Sequence, residues 1–404
     1  MKLQVLTIIS LISLQAIAFQ STQVLPESRH ILLLSYGTLS KPIENHYDNQ
    51  GNLSNYSKES EFEINSQAIA KSDAQGTKLI TILNQISPNS QVGKDLDLGR
   101  IELQGSNDVK ATVIGLGRGI NSSWTLGFGL PIFDAQTNYR LVYIPSGQIN
   151  NLKSEYYGIH PSLDQAFDQM ENFGEKNINE VLAKYNYEPV QDWRYKGIGD
   201  IHLVSKYNFL SQTLIHLSLL NDLIIPTGYK DNPRLLQDVN LSEETLSLDN
   251  ILQSDVHLKR FSLYVDVGIK SGLAQEKEVR YFDQDPSLAT GIEKTKTWKG
   301  ITLGSQQQIS YELLEFLSPY AAHIYRLRTL TKYQSSNLKV KDMESKENFS
   351  MESYRLGFNF DFAKLFLKKK FIAPLFMDAS YEKTIRGTNT IDLSYYRIDL
   401  GSYF

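Results

Sequence analysis

Three histidines lie close to groups that share their chemistry. In His216-Leu217-Ser218 the spacing is that of an imidazole and the hydroxyl it could deprotonate for nucleophilic attack. His202 stands two residues from Asp200, which on an extended strand puts both on one face, a geometry suited to an acid–base or metal pair. His323 shares parity with Tyr325 and Leu327, which suggests the edge of an aromatic belt. Among the carboxylates, Asp361, Asp378 and Glu382 oppose Arg355 and Arg397. None of these groups completes a catalyst. No Gly-Arg follows the His-x-Ser pair, and Asn221 has the opposite strand parity. Nothing specifies the cleft that paired glycosidic carboxylates need. Cysteine is absent, which removes thiol nucleophiles, thiolate zinc sites and disulfides. The reading is therefore a non-enzyme with no cofactor, no metal and no catalytic residue.

The same residues make sense as one face of long strands. In GDIHLVSKYNF (199–209), Ile201, Leu203, Tyr207 and Phe209 alternate with His202, Lys206 and Asn208. Ile215, Leu217, Leu219, Leu223 and Ile225 oppose His216, Ser218 and Asp222, and Phe261, Leu263, Val265, Val267 and Ile269 oppose Arg260, Tyr264 and Asp266. Tyr354, Leu356, Phe358 and Phe360 oppose Arg355 and Asp361, while Leu375, Met377 and Tyr381 oppose Asp378 and Glu382. Such runs extend over about 10–14 residues, whereas soluble strands average five or six and a membrane strand needs about 9–11. Short turns (210–213, 313–317, 363–370) alternate with long polar connections (145–197, 227–256, 283–298, 333–349), the asymmetry of outer-membrane barrels. The fold class is thus an all-β transmembrane antiparallel barrel of about 12 strands with long extracellular loops. Its apolar face meets lipid, and His202, Lys206, His216, Asp222, Arg260, Tyr264, Asp266, Arg355, Asp361, Asp378 and Glu382 line the lumen.

The chain opens MKLQVLTIISLISLQAIAFQ, with Lys2, an apolar run and Ala16-Ile17-Ala18, which predicts a signal peptide over 1–18 and a barrel over 19–404. Counting back from the C-terminus places strands at 389–404, 371–384, 350–363, 318–332, 299–312, 275–283, 256–271, 213–226, 199–210 and 122–144. The first two are 29–37 and 98–118, which makes 38–97 a long first loop. The alternative is a hairpin of 97–105 and 109–118 across GSND, with 19–96 as a periplasmic extension or N-terminal plug. Stretches 66–86 and 161–185 have the apolar spacing of amphipathic helices that could cover the mouth. A net charge of −4 without a basic stripe points away from nucleic acid. The expected partners are outer-membrane lipid and a small-molecule solute. The last strand ends on Phe404, which resembles the signal read by the bacterial barrel-assembly machinery.

INSSWTLGFGLPIFDAQ (120–136), KGIGDIHLVSKYNF (196–209) and LLNDLIIPTG (219–228) resemble segments of the outer-membrane proteins of the phenol-degradation MetA-pathway family, themselves similar to long-chain fatty-acid transporter-like barrels. Gly119, Leu130, Pro131, Gly197, Gly199, Asp200, Lys206, Tyr207, Pro226, Thr227 and Gly228 carry the pattern over roughly 110–230, although the turn reads GINS where the family often has an acidic residue. The resemblance implies an outer-membrane channel for passive uptake of small apolar or aromatic compounds. The alternative is a barrel that transports nothing and acts through its extracellular loops.

Overall fold

The computed structural model describes residues 22–55, 62–65, 81, 82, 84, 85, 97–171, 175–282, 289–329, 331–344 and 348–404. The predicted signal peptide and most of the 66–86 stretch lie outside the described residues. Strong alternation over long segments gives β1 (His30–Leu39), β2 (Asp97–Asn121), β3 (Trp124–Pro145), β4 (Ile201–Ser211), β5 (Ile215–Ile225) and β6 (Ser247–Leu258). The ring continues with β7 (Phe261–Gly272), β8 (Thr302–Tyr311), β9 (Leu317–Arg328), β10 (Phe349–Asp361), β11 (Leu375–Thr388) and β12 (Ser394–Tyr403). Each pairs antiparallel with the next, and β12 pairs with β1 from Ile31↔Tyr403 to Leu39↔Tyr395, which closes a 12-strand barrel with no free edge.

The outer surface is apolar. Leu34, Leu116, Leu203, Leu219, Leu263 and Phe358 are all exposed, while their strand neighbours turn inward. At the short-turn end, Phe360, Phe362 and Phe371 stack in sequence, with ring centroids 6.2 and 4.6 Å apart, as an interfacial aromatic belt does. No described helix is long and apolar enough to cross a membrane. A closed ring with an apolar belt is the β solution to life in lipid, and the chain is an outer-membrane barrel. The short-turn end, which holds both His30 and Phe404, is the periplasmic one.

Two strand assignments need correction. Residues 247–258 form a full barrel strand, β6, inside what the sequence reading treats as a loop, and the expected strand 256–271 is β7 plus a turn at Lys259-Arg260. Lys259 takes a left-handed φ of 58° there. Residues 275–281 are extended but lie outside the barrel, in a three-stranded sheet with Gly291–Trp298 and Lys332–Gln334. Charges alternate along Gln275–Tyr281 on both faces, so neither could have met lipid. β2 runs unbroken for 25 residues, which rules out the hairpin alternative across GSND. The 161–185 stretch forms helices Pro161–Glu171 and Glu175–Lys184; Ile178 and Leu182 pack on Leu103, Tyr139 and Leu141 where the β2–β3 hairpin stands above the ring.

Candidate functional site

Strand parity sends polar groups inward, and inside the barrel they find one another. Arg355 on β10 donates to Glu382 Oε2 on β11 from Nε (2.9 Å) and Nη2 (2.6 Å). The same carboxylate accepts from Tyr395 Oη (2.8 Å) and Ser353 Oγ (2.9 Å). Tyr320 Oη donates to Asp378 Oδ1 at 2.9 Å, and Arg397 pairs with Asp399 at 3.0 Å. Across the lumen, His202 Nδ1 lies 2.8 Å from Asp222 Oδ2, and Gln253 Nε2 donates to Tyr264 Oη at 2.9 Å. Arg355, Arg397 and Lys206 are each only 1% exposed, so side chains fill the middle of the barrel. The wall at β1–β3 is different, presenting Ile31, Leu33, Val109, Ala111 and Val113 inward.

The sequence-derived set therefore divides. His202 with Asp222 and Arg355 with Glu382 meet as pairs, while Lys206, Tyr264, Asp266 and Asp378 occupy inward positions. His202 pairs with Asp222 and not with Asp200. His216 sits near the periplasmic rim, 3.0 Å from Ser211 Oγ and edge-on to His257. Asp361 ends β10, where its Oδ1 accepts the Ala363 amide. Arg260 is a correction: it is exposed in the turn between β6 and β7, because the strand boundary falls one residue after it. His323 faces outward at mid-strand, bridging Gln307 Oε1 (3.0 Å) and Glu352 Oε1 (2.8 Å), with Arg386 on the other oxygen of Glu352.

Two segments that are not wall close the lumen. At the extracellular end, the loop between β5 and β6 folds inward. Val239 and Leu241 are buried in a cluster with Phe133 and Ala135 of β3, Phe349 and Met351 of β10, and Tyr395 of β12. Asp200 anchors this loop. Its Oδ1 accepts from Gly228 N (2.9 Å) and Ser242 Oγ (2.7 Å), and its Oδ2 from Glu243 N (2.5 Å). Thr227 Oγ1 adds a bond to Gly199 O at 2.7 Å. A side chain at Gly228 would run into the carbonyl of Leu241. Above the loop, Trp193, Tyr195 and Tyr229 form an aromatic group with centroids 5.0–6.4 Å apart, partly buried against the cluster.

At the periplasmic end, residues 22–29 run through the lumen as a strap. Thr22 is fully buried and donates from N (2.7 Å) and Oγ1 (2.9 Å) to Asp255 Oδ2 on β6. Its carbonyl accepts from Asn208 on β4 at 3.1 Å, and Leu25 N donates to Thr125 Oγ1 on β3 at 2.8 Å. Ser28 N then reaches Gly119 O on β2. The strap thus passes from β6 to β1, five steps around the ring and nearly opposite. Gly119 admits it, since a Cβ there would collide with the carbonyls of Leu25 and Pro26. Asp255 also interacts electrostatically with buried Lys206. Sequence reasoning missed Asp255, Gln253 and Asp249, whose shared parity within SLDNILQSDVHL was the available signal.

No family model matches the chain, and no curated protein matches it. Among solved structures it is similar to the COG4313 outer membrane channel from Pseudomonas putida F1, with a TM-score of 0.53 at 11% identity, over 95% of this chain and 98% of that one. It also matches the Pseudomonas putida toluene transporter TodX, with a TM-score of 0.33 at 11% identity over 94% and 89%. At such identities the first likeness is one of fold: this chain has the barrel architecture of an outer membrane channel.

Proposed function

We propose that this barrel is a channel for passive entry of small apolar or aromatic compounds, and that its kinship is with the MetA-pathway family. The observation that carries the reading is the construction of the mouth. An aromatic group, Trp193, Tyr195 and Tyr229, packs on an apolar cluster to which a loop outside the hydrogen-bonded wall contributes Val239 and Leu241. An apolar solute prefers such a surface to water by roughly 25 cal/mol per Å² buried. The family-like positions Gly199, Asp200, Thr227 and Gly228 meet in one hydrogen-bonded hinge for this loop, which supports their having a shared purpose. The inward pairs, Arg355–Glu382 and His202–Asp222, act on this reading as a polar lining, and none is assigned catalysis. Phe404 stacks on His30 at 5.4 Å and exchanges backbone bonds with it, so we assign it the assembly signal at the barrel seam.

The test is the initial uptake rate of a labelled monoaromatic by cells that express the chain and by matched cells that lack it. Faster uptake, abolished by cross-linking the loop to the wall, is expected. Equal rates would overturn the reading. The alternative, a closed scaffold that acts through its loops, has one observation in its favour: both ends of the lumen are shut.

A further inference from the structure

The turn between β10 and β11 reads FAKLFLKKKFIAP (362–374), with a short helix over Ala363–Leu367. Its apolar side chains are not folded away. Ile372 is 92% exposed and Leu367 81%, more than any other large apolar side chain among the described residues, and Phe366 is exposed beside them. A single exposed leucine is ordinary, but three such side chains in one turn at the foot of a lipid-facing wall form a surface that something covers. The height of the turn says what. Phe362 stacks on Phe371 at 4.6 Å and on Phe316 of the β8–β9 turn at 5.8 Å, and the same file of rings runs into Phe360 on the lipid face of β10. The turn therefore continues the interfacial belt, at the level where acyl chains give way to headgroups.

The same turn is basic. Lys364, Lys368, Lys369 and Lys370 are all exposed. The carboxylates that face them are Glu312 and Glu315 in the β8–β9 turn and Asp361 at the end of β10. Glu312 lies 3.5 Å from Lys364, Glu315 pairs with Lys368, and Asp361 Oδ1 accepts the Ala363 amide. Lys368, with Lys370 and Lys364 at longer range, holds the Glu315 carboxyl below its usual pKa. Lys369 and Lys370 lie beyond these ion pairs. Lys369 takes a left-handed φ of 59°, its amide donates to Phe366 O at 2.8 Å, and the Lys370 amide donates to Leu365 O at 2.9 Å. This tight reversal brings two lysines into the short stretch that separates Leu367 from Ile372. Ammonium groups on flexible stems, set among exposed apolar side chains, have the pattern of an interfacial anchor.

We propose that the 362–374 turn binds anionic phospholipid of the periplasm-facing leaflet, the lipid phosphate on Lys369 and Lys370 and the acyl chains on Phe366, Leu367 and Ile372. The pairs Lys364–Glu312 and Lys368–Glu315 brace the turn against its neighbour, so the site is built before lipid arrives. A periplasmic protein would also suit a basic apolar surface, but the ring stack puts this one in the headgroup layer, where lipid is what it meets. The site does not depend on whether the barrel conducts.

The chain has no cysteine, so Leu367→Cys gives the full refolded barrel a single thiol for an apolar fluorophore. The labelled barrel is placed in vesicles of phosphatidylcholine and phosphatidylglycerol, with a doxyl quencher carried on one lipid or the other at equal mole fraction and heat-modifiable migration as the check on folding. Doxyl-phosphatidylglycerol should quench the label more strongly, with a relative association of about fivefold, the effect of one lysine at an anionic surface. Lys369→Gln with Lys370→Gln should bring that ratio close to one while both lipids still quench, and Lys369→Arg with Lys370→Arg should keep the preference. High salt should also erase it in the native sequence. Equal quenching by the two lipids at low salt, or a preference untouched by the paired glutamines, would overturn the phosphate assignment. A label quenched by aqueous iodide and by neither lipid would show that the turn stands in water, which would overturn the site and leave a periplasmic protein as its occupant.

Discussion

The two ends of this barrel are closed by different physics. The extracellular closure is dry: Val239 and Leu241 are completely buried among Phe133, Ala135, Phe349 and Met351, and the loop that carries them is tied at its base to Asp200. The periplasmic closure is mostly polar: Thr22 on Asp255, Asn208 on the Thr22 carbonyl, and the Leu25 amide on Thr125, with the Leu25 side chain its buried apolar contact. A fully buried Leu or Val is worth about 1.5–3 kcal/mol, whereas a hydrogen bond exchanged with water is worth a net 0.5–1.5, roughly. The strap is the weaker closure. Yet each passes a glycine, Gly228 at the base of the loop above and Gly119 in the wall below, whose missing Cβ leaves room for a passing carbonyl. The two segments that cap the charge-filled lumen are thus held by separate sets of contacts, one apolar and one polar.

The largest effect should come from Leu241→Ala, which removes a completely buried side chain from the dry cluster and costs about 2–5 kcal/mol. Amide exchange in 235–241 should accelerate while the Thr22 amide stays protected. If both change together, the closures are coupled and the comparison breaks.

The ion pair of Lys270 Nζ with Glu243 Oε1, 2.5 Å apart, ties the inward loop to β7 and gives an intermediate, pH-dependent effect. Its folded pKa, about 2, is depressed from 4.5, so its contribution to stability is present above about pH 4.5 and is lost as pH falls through 2. Unfolding free energies of the native chain and Glu243→Gln should differ at pH 6 and converge as the pH drops toward 2. A gap that stays constant over that range would show that the Lys270 pairing is not what stabilises the loop.

Thr22→Val should have the smallest effect, about 1 kcal/mol, because it deletes one hydroxyl bond and leaves the amide bond to Asp255. Protease access to the strap from the periplasmic side should rise modestly while the extracellular loop is untouched.

How far the sequence could reach is clear from β5 and β6, which pair in the barrel. Along β5 the outward Ile215, Leu217 and Leu219 alternate cleanly with His216 and Ser218. Along β6, Ile251 points inward while Asn250 and Ser254 point outward, so the period-2 signal is blurred, and the outward parity flips across Lys259-Arg260, from Leu258 to Phe261. Reading through that flip cost β6 and misplaced Arg260. Parity was enough to send Arg355, Glu382, His202 and Asp222 inward, since it needs only the strand. It could not show that His202 meets Asp222 and not Asp200, nor that Asp200 serves a loop, because the first depends on the register of strands 20 residues apart and the second on chain folding back from 28 or more residues away. The strap was invisible for a similar reason: Thr22 to Leu25 show no period, and their partners are wall residues up to 233 positions distant.

Single-channel conductance in planar bilayers reads both closures at once when four proteins are compared: the native chain, Gly119→Ala, Gly228→Ala and the double variant. Each added methyl meets backbone that must move, an overpacking cost of about 1–3 kcal/mol applied to one closure and not to the wall. Brief, rare openings are expected for the native chain, more frequent ones for each single variant, and long openings only when both closures are loosened. Four silent proteins, all heat-modifiable and correctly inserted, would contradict this expectation and leave the closed scaffold as the better description of this barrel.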